Sequence, residues 1–175
     1  MKKSEEYKLE LEQVEIEEKK LRKSIRDRFG ANWWSDTEAE KAYWKEGGRE
    51  LMNREHELKF LIRKERNREL DVGDGCTYRL WSDAYACTVI KKTAKTITIQ
   101  RDKATLSPDF KPEWIVGGFS AICTNSDEQE YTYERNPNGE IYVCRWSEKE
   151  GRYRHGSDGS IKISVGRHEH YDYNF

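Results

Sequence analysis

Proline is missing from the first 107 residues of this chain, and only three occur in all. Nothing there removes an amide donor from a long helix. No apolar run approaches the ~20 residues that cross a bilayer. The opening Met1-Lys2-Lys3-Ser4-Glu5-Glu6 lacks the apolar stretch of a secretion signal. A cytosolic location is therefore expected, where thiols stay reduced. The cysteines Cys76, Cys87, Cys123 and Cys144 never form a C-x-x-C pair, which disfavours a zinc site and favours buried free thiols. A surplus of one charge is also missing. Residues 1–72 hold 18 Lys+Arg and 18 Asp+Glu, residues 73–175 hold 14 and 15, and the net charge is −1. A generic DNA-coating protein is thus disfavoured, although local basic patches are not.

What is present is charge and rings. Charged residues make up 37%, mean hydropathy is −1.08, and six Trp, ten Tyr and five Phe argue against simple disorder. Apolar residues reach only 35%, so the core must be small and lean on aromatic area. The character of the chain changes at Asp71-Val72-Gly73-Asp74-Gly75. Residues 1–71 read as a helical arm and 72–175 as an antiparallel β domain, an α+β chain.

In the arm, Tyr7, Leu11, Val14, Glu18, Leu21 and Ile25 are spaced as an amphipathic seam with coiled-coil character, broken at Glu18. Leu9 and Ile16 lie on another face. Gly30 reads as a helix stop. Ser35-Asp36-Thr37-Glu38 has capping-box form, and Asp36 is an equally good cap. Tyr43, Trp44, Leu51, His56, Leu58, Leu61, Ile62 and Leu70 mark a second helix, with a kink expected at Gly47-Gly48. Joined by Gly30–Ser35, the two helices are expected to form an antiparallel, coiled-coil-like hairpin. Trp33 and Trp34 at its tip either close the hairpin or serve as an anchor. Lys19-Lys20-x-Arg22-Lys23 with Arg26 and Arg28, and Arg63-Lys64-x-Arg66-x-Arg68, are either solvated helix faces or phosphate-tracking stripes.

Beyond the switch, 76–81, 85–92 and 95–101 alternate as three strands. Tyr131–Arg135 and Glu140–Trp146 flank Asn136-Pro137-Asn138-Gly139 and read as a hairpin. Residues 151–155 and 160–165 offer two more strands. A small curled sheet or barrel is expected. Gly73-Asp74-Gly75-x-x-Tyr78, Ser82-Asp83 with Val89-Ile90, and Ile97-x-Ile99 resemble the start of an SH3-like or Tudor-like barrel. A long loop at about 102–130 carries Trp114, Ile115 and Phe119, and either tucks them onto the barrel or uses them for recognition.

Candidate binding residues follow from basic and aromatic types placed together, which suit single-stranded nucleic acid. One set is Lys91, Lys92, Lys95, Arg101 and Lys103, and a second is Arg145, Trp146, Arg152, Tyr153 and Arg154. Trp33, Trp34 and Trp114 are candidate partner anchors. A catalytic set is not found. Gly73-x-Gly75 and Gly117-Gly118 lack the spacing and context of phosphate loops, and no nucleophile elbow occurs. Neither enzyme chemistry nor a cofactor is expected. In Arg167-His168-Glu169-His170-Tyr171-Asp172, the residues His168, His170 and Asp172 would share one strand face, with His155 as a further metal candidate. A polar surface strand is the favoured reading of that segment.

The segment Val72–Phe175 resembles a family of small β-domain proteins encoded by bacteriophages and mobile elements of Gram-positive bacteria, for which no catalytic residues are established. The resemblance is carried by Ser82-Asp83, Thr88-Val89-Ile90, Ile99–Leu106, Phe110–Glu113, Gly117-Gly118-Phe119, Tyr131–Glu134, Pro137-Asn138-Gly139, Arg145-Trp146-Ser147-x-Lys149, Gly166–Glu169 and Tyr171–Phe175. It implies a setting in the host bacterial cytoplasm. It also implies a non-enzymatic anti-defence role, anti-CRISPR-like, binding a defence nuclease such as a CRISPR effector or its guide RNA or DNA. A homodimer through the arm is a further expectation. The alternatives are an autonomous single-stranded nucleic-acid-binding module and a metal-dependent nuclease.

Overall fold

The computed structural model describes residues 3–117 and 120–174, Ser120 by its backbone alone. Met1, Lys2, Gly118, Phe119 and Phe175, all named above, lie outside the described residues.

Helix α1 spans Lys3–Phe29. Its seam is as the spacing predicts, with Val14 and Ile25 buried and Tyr7, Leu11, Glu18 and Leu21 half-buried beside them. Gly30 ends the helix at φ 93°, and its amide donates to the Arg26 carbonyl. A short 3-10 turn, Trp33–Ser35, leads to α2, Thr37–Tyr43. Of the two capping candidates, Asp36 is the one used. Its carboxylate accepts from the amides of Glu38 at 2.8 Å and Ala39 at 3.0 Å, worth about 1 kcal/mol. The Ser35 hydroxyl instead donates to the Asn32 carbonyl.

A π-helical turn, Trp44–Gly48, joins α2 to α3, Arg49–Glu69. The kink sits where the glycines predict it: Gly47 has φ 103°, while a Cβ on Gly48 would come within 2.4 Å of the Tyr43 ring. Ile25, Trp33, Ala39 and Tyr43 form a small core. Polar contacts link α1 to the later helices. Arg54 Nε donates to Glu10 at 2.8 Å, the Tyr43 hydroxyl to Glu18 at 2.9 Å, and Arg28 to Glu46 at 2.8 Å.

The chain divides into two compact units, Met1–Arg66 and Asn67–Phe175. The division falls inside α3, a few residues before the composition switch. The reason is that the end of α3 packs within the second unit. Leu70 is buried in its core, Asn67 Nδ2 donates to the Gly151 carbonyl, and Arg68 lies 5.0 Å over the Trp146 ring.

The strands of that unit are β1 (Gly75–Arg79), β2 (Ala84–Lys92), β3 (Thr96–Arg101), β4 (Lys103–Leu106), β5 (Trp114–Gly117), β6 (Ser120–Cys123), β7 (Tyr131–Glu134), β8 (Ile141–Ser147), β9 (Arg152–His155) and β10 (Ile161–Val165). Six of them, all antiparallel, close into a barrel in the order β1-β10-β9-β8-β3-β2. Alternation sends Cys76, Tyr78, Cys87, Val89, Ile97, Ile99, Cys144, Tyr153 and Ile163 inward. Three of these are cysteines, small enough for a narrow interior. Burial pushes the Cys87 and Cys144 thiols up to about 12, so they stay protonated and unreactive. All four cysteines are free and buried.

Strand β2 is buried on both faces. Its outer residues Ala84, Ala86 and Thr88 are small, and the C-terminal segment lies over them. Arg167 Nε donates to buried Asp102 at 2.8 Å and Arg167 Nη2 to Thr88 Oγ1 at 2.8 Å. Glu169 accepts from the Ala86 amide at 2.7 Å, and His170 bridges Ala84. Residues 166–174 are thus a strap rather than the polar surface strand expected, because Arg167 and Glu169 are committed to the barrel wall.

Two other expectations change. Strands β4 and β7 pair with each other, so Tyr131–Glu134 and Ile141–Ser147 do not form a hairpin. The Asn136–Gly139 turn is real, and the Gly139 amide donates to the Asn136 carbonyl. Yet it stands as a bulge-like insertion opposite Asp102, while β3–β4 runs continuously along β7–β8. A Cβ on Gly139 would sit 2.0 Å from the Arg101 carbonyl oxygen, so only glycine fits. The stretch 102–130, expected as one long loop, instead holds β4 and a two-stranded ribbon of β5 and β6. Trp114, Ile115 and Val116 are exposed on it.

Candidate nucleic-acid interface

The outward positions of the barrel strands are set by the same alternation that fills its core. Tyr78, Tyr153, Cys144 and Ile163 point in, so Arg79, Arg154, Arg145 and Lys162 point out. Register then aligns them. Arg79 pairs with Lys162, Lys162 with Arg154, and Arg154 with Arg145. Four cations therefore stand in one row across four adjacent strands, roughly 14 Å from end to end at normal strand spacing. Like charges directly opposite each other destabilise a sheet. A row of four needs a compensating anion, and the protein supplies little. Glu150 lies 4.0 Å from Arg154, and Arg79 Nε donates to the neutral Ser164 hydroxyl. Lys162 and Arg145 have no ion-pair partner among the described residues.

Three members of this row, Arg79, Lys162 and Arg154, line a cleft of about 930 Å³ together with Trp81 and the carboxylate-bearing Asp158. Trp81 is 91% exposed. The turn that carries it is held by Leu80 N–H donating to the Asp83 carbonyl and by Asp83 Oδ1 accepting from the Asp172 amide. The indole is thus presented from a fixed backbone. The Asp158 carboxyl is held below the usual range by hydrogen bonds from the backbone and side chain of Ser160, so it stays ionised. His168 is kept below its ordinary value by desolvation first and then by the Arg79 and His170 charges, against the opposing effect of Glu169.

The structure distributes the sequence-predicted residues unevenly. Arg145 and Arg154 belong to the row. Trp146 packs edge-on against Tyr153 at 5.0 Å, and its indole N–H donates to Glu148. Tyr153 itself is buried, so it is a core residue and not a stacking surface. Arg152 lies half-buried on β9. Of the other set, Lys92 Nζ donates to the Arg68 carbonyl at 3.0 Å, capping the end of α3. Arg101 stacks over Tyr85 at 3.8 Å and pairs with Glu169 at 3.2 Å, and Lys103 pairs with Glu134. Lys91 and Lys95 are exposed; Lys95 precedes Thr96, the register partner of Arg145, and its carbonyl accepts from the Trp146 amide. Trp34 and Trp114 are exposed and Trp33 is buried.

The metal candidates do not converge. Among the described residues no three His, Cys, Asp or Glu side chains are placed to hold an ion. His168 and His170 stack at 6.3 Å, His155 shares a hydrogen bond with the Val143 carbonyl, and the backbone of Asp172 ties the strap to Asp83. Sequence reasoning missed Arg79, Lys162 and Trp81. Outward alternation could have found the two cations, whereas their register could not be read from a single strand. No protein-family model, curated protein or solved structure matches the chain.

Proposed function

We propose that this chain is a non-enzymatic anti-defence protein whose barrel grips single-stranded nucleic acid, such as the guide RNA or DNA of a CRISPR effector, along the row Arg79–Lys162–Arg154–Arg145. The carrying observation is that row, in register and with Lys162 and Arg145 free of ion pairs among the described residues, ending at the exposed Trp81. Cations track phosphates and an indole stacks a base without sequence preference. The phage setting and the defence nuclease come from the sequence resemblance, and with them the host bacterial cytoplasm. No helix among the described residues is long and apolar enough to cross a membrane.

On this proposal the barrel is SH3-like and the helices form an antiparallel, coiled-coil-like hairpin, supported by the opposed order of Glu10–Arg54, Glu18–Tyr43 and Arg28–Glu46. The arm also offers a homodimer surface at Leu9 and Ile16, which are 53% and 44% exposed. Gel filtration with light scattering tests the dimer, and a monomeric mass at high protein concentration would remove it.

The binding test is fluorescence anisotropy with a labelled 20-nucleotide single strand. Salt-sensitive binding is expected, with a log–log slope that shrinks by about 0.7 for each phosphate no longer neutralised. Arg145→Glu with Lys162→Glu should weaken it at least tenfold, while the far-UV spectrum and melting point stay unchanged. Unaltered affinity would overturn the barrel assignment. In cells, the native chain should relieve interference by a CRISPR effector and the double variant should not. Failure of the native chain to relieve any effector in a panel would overturn the anti-defence part.

A further inference from the structure

The helical unit carries a second group of cations around a ring. Along α1 charge is segregated: Lys3 and Lys8 accompany seven glutamates up to Glu18, whereas residues 19–29 contain six cations and one carboxylate, Asp27. Two of the six are engaged. Arg22 is bound twice to Glu18 and lies over the Tyr43 ring, and Arg28 pairs with Glu46. Lys19, Lys23 and Arg26 have no hydrogen-bond or ion-pair partner among the described residues. Their spacing of four and three residues sets them on one helix face, about 6 Å and 4.5 Å apart along the axis.

That face meets the 3-10 turn after the helix. Trp33 is locked into the small core against Tyr43 at 5.3 Å. The backbone fixed by Ser35 and Asp36 then turns its neighbour outward, leaving Trp34 67% exposed. Lys19, Arg22, Lys23, Arg26, Trp33 and Trp34 together line a concave site of about 590 Å³, in the range of small-ligand sites. Neither a hydrophobic cofactor nor a cation fits a site with this charge. Its parts are one accessible π face and three free cations within reach of it, the complement of a base joined to phosphate.

We propose that this site binds a nucleotide unit of single-stranded nucleic acid, Trp34 stacking the base and Lys19, Lys23 and Arg26 holding the phosphates. The inference deepens the nucleic-acid reading given above but rests on different residues, so the chain would contact a strand at two separate sites. Two linked contacts raise affinity by effective concentration without new chemistry at either.

The test uses the full-length protein and the same labelled single strand in four forms: native, Arg145→Glu with Lys162→Glu, Lys19→Glu with Lys23→Glu, and all four changes together. The barrel variant should retain residual binding that the four-fold variant loses, and Trp34→Ala alone should weaken that residual binding about tenfold or more. Trp34→Phe should largely restore it, which separates stacking from a folding defect. Complete loss of binding in the barrel variant would overturn the helical site and leave the barrel proposal standing. Binding confined to the helical site would do the reverse. Competitors identify the ligand: an unlabelled strand should displace the residual signal at micromolar concentration, and ATP only at far higher concentration. If ATP competes equally well, the site takes free nucleotide and the strand assignment is overturned. If poly-glutamate competes equally well, the site reads charge alone and base stacking is overturned.

Discussion

Asp102 and Arg167 show how much of this barrel depends on single polar contacts. Asp102 is 5% exposed and its carboxylate is met by Thr88 and Arg167. Removing the guanidinium strands a buried charge, which costs more than the pair itself contributes. Arg167→Ala should lower stability by about 2–3 kcal/mol, read from the urea midpoint, and Asp102→Asn in the same background should recover part of the loss. At Glu18 the sign of the pH effect is set by its partners. The Arg22 hydrogen bond holds its carboxyl below the ordinary 4.5, against the opposing effect of burial and with help from Tyr43. A depressed carboxylate stabilises the fold above its unfolded pKa, and that contribution is lost as pH falls through the folded value. Helicity at 222 nm, followed from pH 6 downward, should therefore drop more steeply below about pH 4.5 in the native chain than in Glu18→Gln.

Among the elements, the π-helical turn between α2 and α3 separates two roles for adjacent glycines. Gly47 needs its positive φ, and a Cβ there would meet nothing within 4 Å, whereas Gly48 lies against the buried Tyr43 ring. Gly47→Ala should cost about 1 kcal/mol from backbone strain. Gly48→Ala should cost about 2 kcal/mol, because the ring has no room to move. Equal urea midpoints for the two variants would contradict this assignment. Strand pairing teaches a second lesson at this scale. Asn136–Gly139 has every local mark of a hairpin turn, yet β7 and β8 each pair elsewhere. A turn is a local property, but a partner is chosen by whichever strand buries the better face. Here Ile97 and Ile99 draw β8 onto β3, where Cys144 and Tyr142 complete the core.

For the molecule as a whole, the position of the boundary between units matters more than their sizes. Leu70 and Asn67 precede the composition switch but pack inside the barrel unit. A chain beginning at residue 67 should fold cooperatively, and one beginning at residue 72 should be less stable by about 2–5 kcal/mol, the cost of emptying a buried leucine site. Identical melting points would show that the last turn of α3 is dispensable. The cation row is also a property of the assembled barrel, since its members are contributed by four strands spread from residue 79 to residue 162.

Local order along this chain was legible from the residues: the α1 seam from Tyr7 to Ile25, the Asp36 cap, the break at Gly47-Gly48 and the three strands that begin the barrel. These follow from side-chain periodicity or from the backbone freedom of one or two residues, which neighbours in sequence suffice to specify. What assembly alone settled was which strands meet. Register placed Arg79 and Lys162 beside Arg154 and Arg145, sent Tyr153 inward, engaged Lys92 and Arg101 elsewhere, and turned a histidine-bearing tail into a strap. Those outcomes depend on contacts between residues tens of positions apart, chosen by burial and hydrogen bonding over the whole barrel, and no short stretch of the chain contains that information.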